Sequence, residues 1–248
     1  MTSQEQTPQT EDRQGKTRIY YEVTGSGEPL ILIHGLCASR RWWRKNVQVL
    51  ARHFRVYTVD LIGFGKSKAA QGFVLNAAAE ALHEWMVEME ITHARVIGQS
   101  MGGRIAAELA VDFPESVEQL VLVDAPLFPF DHSLLRQGWG MLHSLRYTPL
   151  DLLRVVITDT LQMGVWPTIK IGFEIMHSDL THKLAQLQLP TLIIWGDQDT
   201  IVPWRLGEAL AETLAPHRFV TMRGVGHTPM WERPEEFNRI ALDFLCAA

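Results

Sequence analysis

Two kinds of segment alternate along this 248-residue chain. Short, nearly unbroken apolar runs occur at Leu30–Ile33, Phe54–Val59, Arg95–Ile97, Val117–Val123, Thr191–Trp195 and Phe219–Met222. Runs of this length and composition read as strands covered on both faces. Thr17–Thr24 (TRIYYEVT) reads as a further strand, closed by the turn Gly25-Ser26-Gly27-Glu28-Pro29. Between them the apolar spacing changes to that of helices, over about 40–52, across Ala77–Met89, directly after Ser100, and near 204–214 and 234–245. Strands that alternate with helices predict an α/β fold, a mainly parallel sheet with helices on both faces. One stretch breaks the rhythm. Residues 127–185 show helical patterning without a strand and are too long for a connecting loop, so they read as an inserted helical cap. The expected organisation is a disordered polar tail at 1–16, a core built from 17–126 and 186–248, and the cap at 127–185.

Composition narrows the class. Hydrophobic residues make up 46% and charged residues 21%, enough for a self-sufficient core without metal or disulfide staples. A net charge of −5 argues against nucleic acid as a partner. The basic cluster Arg40-Arg41-Trp42-Trp43-Arg44-Lys45 reads as the solvated face of a helix whose apolar stripe is Trp43, Val47 and Leu50. Two cysteines, Cys37 and Cys246, form no disulfide framework and suit a reducing compartment. The tail lacks the apolar centre of an export signal, and no apolar run is long enough to span a bilayer. These features predict a cytoplasmic monomer or homodimer.

The chemistry gathers at the ends of predicted strands. Gly98-Gln99-Ser100-Met101-Gly102 follows a strand and opens a helix, the setting of a nucleophile elbow. Such a turn projects the serine hydroxyl above the sheet and sets free helix N–H groups beneath developing negative charge. A serine hydroxyl needs a neighbouring imidazole to take its proton, and Gly224-Val225-Gly226-His227 follows a late strand. A carboxylate that orients the imidazole is available in Trp195-Gly196-Asp197-Gln198-Asp199. The order Ser…Asp…His and the placement of all three beyond strand carboxyl ends agree with one another.

In these motifs the sequence resembles the α/β-hydrolase superfamily, in its cap-bearing, cofactor-free serine hydrolase and esterase branch, over roughly residues 17–246. The resemblance also rests on His34-Gly35 after an early strand, on Asp60-Leu61-Ile62-Gly63-Phe64-Gly65-Lys66-Ser67, and on W-G-x-x-D followed by Pro203. It implies Ser100 as nucleophile, His227 as base and Asp199 as the orienting acid. It further implies an oxyanion hole from the N–H groups of Leu36 and Met101, with His34, Gly35, Gly98 and Gly102 in support. Serine at position 100, where some relatives carry aspartate, sets the chain apart from the dehalogenase and epoxide-hydrolase branches.

Competing readings concern single residues. Gly63–Ser67 ends like a phosphate loop, but Asp60 stands where that loop needs glycine, so a structural turn is expected. Asp197 reads as a turn-stabilising neighbour of Asp199, and Asp124 as a reserve acid. His34 reads as a support for the oxyanion loop and Cys37 as a packing thiol. No histidine pair has the spacing of a zinc helix, so neither metal nor cofactor is expected. The expected activity is hydrolysis of small to medium, mainly apolar carboxylic esters through an acyl-enzyme. C–C hydrolysis of ring-cleavage products and a slow-turnover ligand receptor are the alternatives. Phe128, Phe130, Trp139, Tyr147, Trp166 and Phe173, with Met141, Met163 and Met176, are the candidates for an acyl pocket, about a third of them facing it.

Overall fold

The computed structural model describes residues 19–67, 72–130, 140, 142–144, 146–214 and 217–247. The expected tail at 1–16 lies outside them, as do the cap residues Arg136, Trp139 and Met141. Seven strands form one sheet: β1 (Tyr20–Thr24), β2 (Pro29–Ile33), β3 (Arg55–Asp60), β4 (Ala94–Gln99), β5 (Val117–Val123), β6 (Thr191–Gly196) and β7 (His217–Met222). Their order is β1-β3-β2-β4-β5-β6-β7, with β1 antiparallel to β3 and every other pair parallel. The register runs across the centre as Leu32 opposite Ile97, Ile97 opposite Val121, and Val121 opposite Leu192.

Period-two alternation divides these apolar runs between two cores. Ile31, Ile33, Val96, Leu120, Leu122, Ile193 and Trp195 point to one face. There they meet α2 (Ala78–Glu88), α3 (Met101–Asp112) and α7 (Arg205–Thr213) through Leu82, Trp85, Ile105, Leu109 and Leu210. Leu30, Leu32, Ile97, Val121, Leu192 and Ile194 point to the other face. They pack on a 3₁₀ turn at Arg40–Trp43, on α1 (Val47–Leu50) and, after β7, on α8 (Pro229–Glu232) and α9 (Pro234–Leu245). Leu30–Ile33 are fully buried, so truncating any of them to alanine would cost about 2–5 kcal/mol. Strand order reverses between β2 and β4. The connections leaving their carboxyl ends therefore run to opposite faces, and the crevice between such connections is the place where open α/β sheets carry their sites.

Between β5 and β6 the described segments are helical, with α4 (Leu150–Met163), α5 (Val165–His177) and α6 (Thr181–Leu184) and no strand. Two expectations change in detail. The continuous helix over 40–52 is a 3₁₀ turn and a single short helix separated by residues 44–46, and Trp42 as well as Trp43 is buried. The basic cluster there is not a simple solvated face. Arg41 pairs with Asp159 of α4, Arg44 reaches Asp151 at 2.5 Å, and Arg40 bonds Asp60 at 3.0 Å and Glu22 at 2.7 Å. Acids distant in sequence recruit these cations, a pairing that helical spacing alone does not reveal. Gly63–Ser67 is the structural turn expected of it. Its Lys66 N–H donates to the Asp60 carboxylate at 2.8 Å, and its Ser67 hydroxyl donates to the Asp60 carbonyl at 2.5 Å.

Candidate active site

The elbow is built at the crevice. β4 ends at Gln99, α3 begins at Met101, and Ser100 between them adopts φ 52° and ψ −121°. A side chain at positive φ is strained by about 1–3 kcal/mol and persists only where its surroundings hold it. Here the Ser100 N–H donates to the Val123 carbonyl at 2.8 Å, and its carbonyl accepts from the N–H groups of Gly103 at 2.9 Å and Arg104 at 3.1 Å. The flanking glycines are required by close approach. A Cβ on Gly98 would collide with the Gly102 carbonyl and lie 2.6 Å from Gly103 Cα. One on Gly102 would lie 2.5 Å from the carbonyl oxygens of Ile33 and His34. As the first residue of α3, Met101 has no carbonyl a turn earlier to receive its N–H.

His227 follows β7 and Asp199 follows β6, and the fold joins them. His227 Nδ1 and Asp199 Oδ2 are 2.6 Å apart, with both residues buried. The other carboxylate oxygen of Asp199 accepts the N–H groups of Ile201 at 2.8 Å and Val202 at 3.0 Å. Those bonds aim the carboxylate, which in turn orients the ring and leaves Nε2 as the nitrogen able to take a proton. Asp197 faces elsewhere and accepts the Gly224 N–H at 2.6 Å, a loop-to-loop tie.

Two residues that the motifs do not single out shape this arrangement. Gln99 donates from Nε2 to the His227 carbonyl at 2.9 Å, linking the residue before Ser100 to the histidine backbone. Glu232 accepts from the Gly226 N–H at 2.8 Å, the Thr228 N–H at 3.0 Å and the Thr228 hydroxyl at 2.9 Å, which clamps the loop on either side of His227. The only sequence signal for Glu232 was its place five residues after His227.

The loop after β2 carries His34, Gly35 and Leu36. His34 is fully buried, its Nδ1 lies 2.8 Å from the Gly35 carbonyl, and its Nε2 accepts the Leu61 N–H at 3.1 Å. Burial depresses its basicity, against the pull of Asp60. With both nitrogens occupied by backbone, the ring supports the loop and is not free as a base. A Cβ on Gly35 would collide with Gln99 Oε1 and approach Ser100 Cβ to 3.2 Å, so the loop and the elbow touch. Cys37 adopts φ 60°, and burial pushes its thiol up, opposed by a hydrogen bond with Thr160 of α4. Cys37 and Cys246 are both free thiols.

Asp124, Asp199 and His227 bring donor atoms within 4.8 Å of one another, a spacing compatible with a bound ion. Two ligands of a tetrahedral ion at about 2.1 Å stand roughly 3.4 Å apart, whereas the 2.6 Å between His227 and Asp199 is that of a charge-assisted hydrogen bond. The set fits an acid–histidine relay better than a metal centre.

Residues 28–165 and 171–234 match the family profile of the alpha/beta hydrolase fold. The pimeloyl-[acyl-carrier protein] methyl ester esterase of Nitrosomonas europaea is 30% identical over 248 aligned residues, covering 88% of this chain and 96% of that one. A 2-hydroxy-6-oxononadienedioate/2-hydroxy-6-oxononatrienedioate hydrolase of Paraburkholderia phymatum is 29% identical, with 92% and 91% covered. The structure of an esterase from Exiguobacterium antarcticum superposes with a TM-score of 0.82 at 22% identity, over 93% of this chain and 96% of that one, a likeness of fold. The chain belongs to the α/β-hydrolase fold family, and the relatives it matches are hydrolases.

Proposed function

We propose that this protein is a serine hydrolase that cleaves carboxylic esters of small to medium, mainly apolar substrates, with residues 127–185 as a helical cap over the site. The observation that carries the reading is the strained Ser100 at the head of α3, tied through Gln99 to a buried His227–Asp199 pair. Ser100 attacks the ester carbonyl while His227 Nε2 takes the hydroxyl proton, and the Leu36 and Met101 N–H groups receive the negative oxygen. His227 returns the proton to the leaving alcohol. A water deprotonated by the same ring then releases the acid and regenerates Ser100. Asp199 keeps the imidazole in its productive tautomer and stabilises the imidazolium.

The Nitrosomonas relative, named as an ester hydrolase, agrees with this bond type, and the Paraburkholderia relative favours C–C hydrolysis as the second reading. One experiment separates them. The protein is treated with a fluorophosphonate and the labelled peptide identified, then aryl esters and a ring-cleavage diketone are assayed side by side. Labelling confined to Ser100, ester turnover above diketone turnover, and only trace activity in Ser100→Ala are the expected results. Label elsewhere, or an active Ser100→Ala variant, overturns the triad. Preferential diketone cleavage overturns the ester assignment and leaves the triad standing. Binding with less than multiple turnover would indicate a receptor.

A further inference from the structure

Asp124 is a buried acid that the scheme above leaves without a role. It directly follows β5 with φ 46°, a conformation that strains any side chain other than glycine, and it is fully buried. Its N–H donates to the Ile194 carbonyl at 3.1 Å, which fixes the backbone there. One carboxyl oxygen, Oδ1, accepts the Gly196 N–H at 2.9 Å. The other, Oδ2, is buried with no hydrogen-bond partner among the described residues. A carboxylate oxygen left dry and unpaired carries the full desolvation penalty of its charge. A carboxyl group that keeps its proton does not. The charged and titratable groups acting on it are Asp199 from the loop after β6, His227 from the loop after β7, and Glu232 from α8. Burial and then the Asp199 charge push the Asp124 carboxyl well above the ordinary range; the Gly196 N–H pulls the other way and the Glu232 charge adds to the rise.

We propose that Asp124 is a positioning residue acting through His227: it stands as the neutral acid beside Asp199 and takes over the negative charge that orients the imidazole when Asp199 cannot carry it. Two carboxyl groups within 4.8 Å in a dry site share one charge, as like charges do not both persist there. Asp199 holds it in the native protein because it accepts two backbone N–H groups and the histidine, against the single N–H received by Asp124. In Asp199→Asn the competing charge is gone. Asp124 then releases its proton to solvent, and its second oxygen faces the ring as a carboxylate. The proposal rests on the His227–Asp199 pair serving as the general base.

The test uses kcat and the pH profile of kcat/KM for an aryl butyrate with the wild type, D124N, D199N and the double variant. Loss of the orienting carboxylate from a triad typically lowers kcat by about 10⁴. With Asp124 in reserve, D199N loses only about 100-fold and its profile moves to higher pH, where Asp124 ionises. D124N loses less than about tenfold, with its acid limb in place, since the group removed carries no charge. The double variant falls by about 10⁴, more than the product of the single losses. A double variant no slower than D199N overturns the proposal. So does a D124N acid limb displaced downward by about one unit, the shift expected if an ionised neighbour had been removed.

Stability gives a second readout with its own sign. In the unfolded chain this carboxyl ionises above about pH 4, whereas the fold holds it neutral, so its contribution is full below that pH and is lost as pH rises. D124N is therefore expected to gain melting temperature relative to the wild type as pH rises from about 5 to about 8, and a relative loss over that range overturns the proposal. If the variants fail to fold, infrared spectroscopy of the wild type in D₂O at about pH 8 decides. A protonated carboxyl band supports the proposal and its absence overturns it. That band does not depend on turnover, so failure of the hydrolase reading and failure of this one are told apart.

Discussion

Two aspartates two positions apart show how little a side chain's identity says about its use. Asp197 and Asp199 share a loop, yet one ties that loop to Gly224 and the other holds the histidine. The backbone N–H groups of Ile201 and Val202 make the difference, because they aim the Asp199 carboxylate from behind. Asp199→Asn is expected to lower kcat by about 100-fold with little change in KM, the remainder being carried by Asp124. Asp197→Asn keeps an oxygen able to accept from Gly224, so kcat should change by less than about threefold and stability by less than about 1 kcal/mol. Steady-state kinetics and denaturant titration of both variants check this, and the reverse ranking would move the acid by two residues.

Helix α4 is fastened to the core by charge. Asp159 is buried, accepts the Ser39 hydroxyl at 2.8 Å and pairs with Arg41. Asp151, two turns earlier, takes Arg44 at 2.5 Å and the Trp231 indole N–H at 3.2 Å. The inner tie reaches the same loop that carries Leu36, so a hydrogen bond joins the helix to the proposed oxyanion loop. Asp159→Ala takes away the acceptor of the buried Ser39 hydroxyl and the carboxylate that pairs with Arg41, and should cost about 2 kcal/mol. Arg44→Ala, at a pair whose partners are each nearly half exposed, should cost less than about 1 kcal/mol. Equilibrium unfolding in urea distinguishes them. A loss from Asp159→Ala no larger than that from Arg44→Ala would mean that the inner tie contributes nothing to the fold.

Substrate preference belongs to the whole molecule, where the helical segment meets the crevice of the sheet. Its described cations are exposed or already paired: Arg146 and Arg154 face solvent, Lys170 lies near Glu174, and Lys183 bonds Asp112 at 2.6 Å. Strongly anionic substrates call for a bidentate or clustered cation, which this set does not offer. Of the proposed pocket residues, Trp166 and Phe173 lie on the outside, at 81% and 47% exposure, while Phe128 and Phe130 pack against the core. With an apolar lining each added methylene is worth about 0.8 kcal/mol, a factor of about four in kcat/KM. The rate should therefore climb from acetyl to butyryl or hexanoyl esters and then fall as the proposed cap excludes longer chains. A maximum at acetate, or acceleration by a free carboxylate on the substrate, would contradict it, and the second result would favour the C–C reading.

Much of this was legible in the chain because short-range rules govern it. Apolar runs such as Leu30–Ile33 and Val117–Val123 specify buried strands, and helix α9 begins and ends where its apolar spacing and Pro234 set it. Ser100, Asp199 and His227 could be nominated because their motifs are local, each at the end of a strand. Contacts between residues distant in sequence could not be read that way. The capture of Arg41 by Asp159, the grip of Gln99 on the histidine backbone, and the placing of Asp124 beside Asp199 all join segments tens of residues apart. Nothing in local spacing encodes those distances. They follow from strand order and register, which bring the loops after β2, β4, β5, β6 and β7 together at the carboxyl ends of the sheet and there decide which buried polar groups find a partner.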